Sequence, residues 1–70
     1  MKALKIISCS DSLMWYRDHV DTIVPLLRVY SDVYLSREPA GYSNIIHLRD
    51  AVIVDVEPDQ ILYLGEYDHL

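Results

Sequence analysis

Short apolar stretches separated by polar and turn-forming residues run the length of the chain, and none keeps a helical period beyond a turn or two. Residues 3 to 9 (ALKIISC) predict an opening strand, because Ile6 and Ile7 are β-branched and no helical spacing continues past them. Ser10, Asp11 and Ser12 then bond readily to their own backbone and predict a loop. Within it Leu13, Tyr16 and Val20 fall at i, i+3 and i+7, enough for one helical turn over residues 12 to 18 but too short to stand alone. Residues 22 to 30 (TIVPLLRVY) predict a second strand, and Pro25, which has no amide hydrogen, assigns it to a sheet edge or a bulge. After the polar pair Ser31 and Asp32, residues 33 to 37 (VYLSR) complete a hairpin. Glu38-Pro39-Ala40-Gly41 is the clearest turn: Pro39 presets φ for the first corner and Gly41 tolerates positive φ. Residues 42 to 47 and 51 to 56 (AVIVDV) predict two more strands, the latter with four valines or isoleucines in six positions. Glu57-Pro58-Asp59 turns the chain again, and residues 61 to 64 (ILYL) form a last short apolar element before the tail.

Short strands at this spacing, in a chain of 70 residues with no room for helical crossovers, predict a single all-β unit, a small antiparallel barrel or sandwich. The expected division is a barrel over residues 1 to 57 and an acidic and apolar extension over residues 58 to 70. An apolar fraction of 51% excludes an intrinsically disordered chain, and two glycines with three prolines exclude collagen-like and low-complexity sequence. No apolar run approaches the roughly 20 residues of a membrane-spanning helix. The lone Cys9 has no partner for a disulfide or a CxxC site and is expected as a small buried residue. A chain of this length buries only about 60% of the surface that its unfolded form exposes. Little is left over for a deep substrate pocket, so the chain is not expected to be an enzyme.

The order of features resembles the small SH3-like barrel proteins of bacteriophages and prophages. The likeness is carried by Trp15-Tyr16 with Asp18 and Val20 behind them, Asp32 and Tyr34 around a hairpin turn, Gly41-Tyr42 with Asn44-Ile45, and Asp50-Ala51-Val52-Ile53-Val54. It covers residues 5 to 56. It implies a five-stranded SH3-like barrel with a 3₁₀ turn at residues 48 to 50, closed by the strand at 51 to 56, with an extra C-terminal element. It further implies an accessory protein in the cytoplasm of a bacterial host, without a catalytic residue set. The position of Asp21 departs from the pattern, since such proteins often carry Gly there.

Charge sharpens this picture. The formal net charge is −5, but residues 1 to 28 sum to +1, residues 29 to 49 to zero, and residues 50 to 70 to −6 with no Lys or Arg among them. An acidic end of this kind predicts attraction to a basic surface on a protein partner, with Asp55, Glu57, Asp59, Glu66 and Asp68 as contacts, and disfavours direct binding to nucleic acid. Six tyrosines and one tryptophan, with no phenylalanine, add a second candidate surface. Trp15, Tyr16, Tyr34 and Tyr42 stand where SH3-like barrels build a peptide groove. His19, His47 and His69 are far apart, and Asp55, Glu57 and Asp59 lack the glycine and terminal glutamate of a calcium loop, so no metal or cofactor is expected. Ser8, Ser10 and Ser12 near His19 lack the glycine elbow of a hydrolase nucleophile.

The resulting expectation is a non-enzymatic binding module that engages a host protein through an acidic face. The competing expectation is a self-associating structural component of a phage particle. In either case Ile61, Leu62, Tyr63 and Leu64 are expected as an extra strand beyond a closed barrel, which covers an edge within the chain or pairs with a second copy to form a homodimer.

Overall fold

The computed structural model describes residues 1–62. Six strands are present among the described residues: β1 (Lys2–Ile6), β2 (Ile23–Pro25), β3 (Arg28–Val29), β4 (Val33–Arg37), β5 (Ser43–His47) and β6 (Ala51–Asp55). Two 3₁₀ turns, Leu48–Asp50 and Pro58–Gln60, complete the regular structure. The strands form two three-stranded antiparallel sheets, ordered β2-β1-β6 and β3-β4-β5, and no α-helix occurs among the described residues. The all-β expectation is met.

The strand count differs from five because the second predicted strand is broken. Pro25 ends β2 at a sheet edge, as its missing N–H requires, and Leu26-Leu27 carry the chain into the other sheet, where β3 pairs with β4. The first strand is shorter than predicted, ending at Ile6. Beyond it the amides of Ile7 and Ser8 both turn to the Asp50 carbonyl, at 2.8 and 3.4 Å, and the chain departs into a long loop. The helical turn expected there is a series of i to i+3 turns closed by Met14 on Asp11, Arg17 on Met14 and His19 on Tyr16. The loop rejoins the sheet through a bulge: the Asp21 amide donates to Ile6 at 2.7 Å while the Ile6 amide donates to Thr22 at 3.0 Å. That geometry forces Asp21 to a φ of 72°, in the left-handed region that glycine occupies at least cost.

Leu4, Ile6, Tyr16, Val24, Ile46 and Ala51 form the buried core, with Cys9, Met14, Trp15, Leu26 and Tyr34 packed partly against it. Cys9 is half-buried in the loop rather than fully enclosed in a strand. Ile61 is also buried, and the Leu62 amide donates to the Ile23 carbonyl at 2.8 Å. The last predicted element is therefore no strand at Ile61 and Leu62, which lie in a turn against β2; residues 63 and 64 lie outside the described residues.

Replacing Asp21 by glycine relieves the left-handed strain with no loss to the ladder. Asp21→Gly is expected to raise the unfolding free energy by about 0.5–1 kcal/mol and Asp21→Ala to lower it, both read from urea denaturation midpoints.

Candidate functional site

Asp50 ends the 3₁₀ turn between β5 and β6, and its carboxylate is fully buried. Leaving a carboxylate without partners in such a place costs several kcal/mol, so its neighbours are set by necessity. Oδ1 accepts from the Ser8 hydroxyl at 2.8 Å and the Ser10 amide at 3.3 Å. Oδ2 accepts from the Ser10 hydroxyl at 3.0 Å and the Tyr16 hydroxyl at 2.5 Å. The Tyr16 oxygen in turn accepts from the His47 amide at 3.3 Å, and Ser10 Oγ accepts from Arg49 Nε at 2.8 Å. One side chain thus joins the start of the long loop, its centre, the end of β5 and the entry to β6.

Burial pushes the Asp50 carboxyl up, but the hydroxyl donors of Tyr16, Ser8 and Ser10 together with the Ser10 amide outweigh it and hold the group down at about 2. The Tyr16 hydroxyl moves the opposite way, pushed well above its ordinary value by burial and by its donation to the carboxylate. Such a pair is badly matched to acid–base work near neutral pH, because the carboxylate is a weak base already surrounded by donors and the phenol holds its proton. Ser8 and Ser10 spend their hydroxyl protons on the same carboxylate, so neither is activated as a nucleophile. The arrangement does structural work.

The predicted partner-facing residues separate on this scaffold. Tyr16 is a correction: it is wholly buried, its ring in the core and its hydroxyl on Asp50, so it offers no surface to a partner. Trp15 is half-buried, stacked edge-on to Tyr16 with ring centroids 5.5 Å apart, and its Nε1 donates to the Ile45 carbonyl at 2.8 Å. Tyr34 is half-buried against the core, while Tyr42 stands 72% exposed beside the β4–β5 turn. No ring contact joins Tyr34 or Tyr42 to Trp15 among the described residues.

Of the acidic candidates, Asp55, Glu57 and Asp59 are exposed, and Glu66 and Asp68 lie outside the described residues. Asp55 meets the Met1 amine at 3.0 Å and Lys2 Nζ at 3.5 Å, and the hydrogen bond from that amine is the main cause that holds its carboxyl below the usual range. Glu57 caps the 3₁₀ turn Pro58–Gln60, taking the Gln60 amide while Gln60 Oε1 accepts from the Glu57 amide at 3.0 Å. Asp59 borders an open cleft of about 360 Å³ shared with Asp21, Thr22, Ile23, Gln60, Ile61 and Leu62. The cleft is thus lined by two acidic residues and three apolar ones, drawn from the long loop, β2 and the turn that follows β6. No group of three or more His, Cys, Asp or Glu able to hold a metal occurs among the described residues, and no helix among them is long and apolar enough to cross a membrane.

Comparison with protein-family models, with curated proteins and with solved structures finds no match to this chain.

The sequence counts Asp50 in the charge of the acidic end and gives it no contact role, and it does not bring Asp21 to the cleft that Asp59 lines.

Because the Asp50 carboxyl is depressed from its ordinary 3.8 to about 2, its contribution is fully present above pH 4 and disappears as the pH falls through 2. Stability is expected to drop by about 2 kcal/mol across that interval, and Asp50→Asn to flatten this part of the curve at a lower plateau, as followed by circular dichroism. Tyr16→Phe removes one charge-assisted bond while keeping the ring, and is expected to cost about 1.5–3 kcal/mol at neutral pH.

Proposed function

We propose that this chain is a non-enzymatic protein-binding module, an SH3-like barrel of phage or prophage origin, that acts in the bacterial cytoplasm by engaging a basic surface of a host protein. The barrel assignment is supported by a second strand that breaks at Pro25 and serves both sheets, and by a 3₁₀ turn at Leu48–Asp50 leading into β6. The observation that carries the binding reading is the cleft lined both by Asp59, from the acidic end, and by Asp21, from the long loop, together with Ile23, Ile61 and Leu62. A lysine or arginine of the partner inserts there, its charge between the carboxylates and its stem along the apolar side. Glu57 stands beside this point and extends the negative potential that steers the approach. Exposed Tyr42 and half-buried Trp15 are secondary contacts on the other sheet. A self-associating structural component of a phage particle is the second reading, favoured by the apolar residues exposed on β6.

Bacterial lysate passed over immobilised protein at low and at high salt tests the first reading. The expected result is a host protein captured at low salt, released as ionic strength rises, and lost by ~10-fold or more with Asp21→Asn combined with Asp59→Lys. Capture unaffected by both salt and these substitutions would remove the acidic cleft from the account. Co-purification with virions in place of a host protein selects the second reading.

A further inference from the structure

The two sheets have four outer edges, and three of them are closed. On β5 the residues facing away from β4 are Ser43, Ile45 and His47, as the hydrogen-bonded pair of Glu38 with Tyr42 and the register require. The Ile45 amide is taken by Asn44 Oδ1 at 2.8 Å, its carbonyl by Trp15 Nε1, and the His47 amide by the Tyr16 hydroxyl. On β2 the outward residues are Ile23 and Pro25: the Ile23 carbonyl is taken by the Leu62 amide, and Pro25 has no N–H to offer. Strand β3 is two residues long and carries Arg28. These are the devices by which edge strands are kept from pairing.

None of them occurs on β6. Met1 and Val56 exchange both backbone bonds and the Ile7 amide donates to the Asp50 carbonyl, so Asp50, Val52, Val54 and Val56 face β1. Ala51, Ile53 and Asp55 therefore direct their N–H and C=O groups away from the sheet, and no partner takes them among the described residues. The strand has no Lys, Arg, Pro or bulge, and Val52 and Ile53 are 42% and 44% exposed on it.

We infer that β6 is an assembly edge that pairs antiparallel with β6 of a second copy, about a two-fold axis through Ile53. The sequence Val52-Ile53-Val54 reads the same in both directions, which is what a two-fold pairing needs. In this register Ile53 exchanges two hydrogen bonds with its counterpart, and Ala51 and Asp55 exchange two with each other at either end. Val52 stands opposite Val54 of the second copy, a β-branched pair of the kind that stabilises sheets. Charge is compatible with this register. Asp55 is already paired with the Met1 amine and Lys2, and it faces Ala51 across the axis. Moving the axis two residues toward the C-terminus, onto Asp55, shifts each partner by four and would set the two Asp55 side chains opposite each other. The product is one six-stranded sheet, β2-β1-β6-β6-β1-β2. A foreign strand gains the backbone bonds but not the self-complementary side chains. This inference does not rest on the acidic cleft, and it places association on β6, whereas the sequence pointed to residues 61 to 64.

One five-residue edge buries less than the ~1,200 Å² of a standard interface, so the dimer is weak and is sought at high protein concentration. Sedimentation equilibrium over a concentration series is expected to show reversible dimerisation of the full chain. Two variants then test the surface. Val52→Lys adds an edge charge at an exposed site, and Ile53→Pro removes an amide that faces away from β1, leaving the β1–β6 ladder intact. Each is expected to weaken the dimer ~10-fold or more while the monomer keeps the wild-type circular dichroism spectrum. Should a variant fail to fold, amide exchange on the unmodified protein decides: Ala51, Ile53 and Asp55 gain protection as concentration rises, while Val52 and Val54 are protected throughout. A protein that stays monomeric at millimolar concentration overturns the inference. So does a dimer that both folded variants retain, or protection of Ala51, Ile53 and Asp55 that is the same at every concentration, which would mean that the edge is covered within one chain.

Discussion

A buried carboxylate that must be satisfied organises this small fold. Asp50 sits where β5 ends and β6 begins, and every donor that answers it arrives from the loop between β1 and β2. That loop spans residues 7 to 22 with no ladder of its own, and by composition it has little reason to adopt one conformation. Its order follows from the demand for donors: Ser8 and Ser10 are fixed at its start and Tyr16 at its centre. With Tyr16 placed, Trp15 is placed, and with Trp15 the β5 edge is closed. A single electrostatic requirement thus propagates from the loop to the core and from the core to the sheet edge.

The arrangement also settles how one residue divides between structure and function. In a chain that buries so little, a tyrosine that fills the core and donates to a buried carboxylate has no further surface to give. The aromatic set read from the sequence is therefore not one groove. Tyr16 belongs to the interior, Trp15 to an edge, Tyr34 to the side of the core and Tyr42 to a turn. Serines close to a cysteine and a histidine suggest nucleophilic chemistry on paper, yet two of them serve as donors to Asp50 and lose that role in doing so.

The strands were legible because their signals are local. Alternation and β-branching mark residues 33 to 37 and 51 to 55, and proline and glycine mark the turn at 38 to 41, with no knowledge of what packs where. Pro25 announced a sheet edge for the same reason: a missing donor is a property of the residue itself. The break of the second strand into two sheets was not legible, since Leu26-Leu27 are as apolar as their neighbours and the change of partner is decided by pairing across the fold. The burial of Asp50 and the cleft shared by Asp21 and Asp59 were illegible for a stronger reason. Their partners lie about 40 residues away in sequence, and formal charge counts a buried carboxylate and a solvated one alike.

That last point changes the meaning of the acidic end. Asp50, Asp55, Glu57 and Asp59 are four equal negative charges in the sequence, but the fold treats each differently. Asp50 is withdrawn into the interior and bonded to hydroxyls. Asp55 is matched by the Met1 amine and Lys2 on the adjoining strand, which lowers the field that it projects outward. Glu57 accepts a backbone amide as a cap, fixing its position without cancelling its charge. Asp59 lines an open cleft that a second acidic residue, Asp21, also lines. The acidic residues of the sequence thus fall in two different places: an edge at β6 where Asp55 is paired with cations and no partner takes the outward backbone groups among the described residues, and a cleft beside β2 that Asp59 lines together with Asp21.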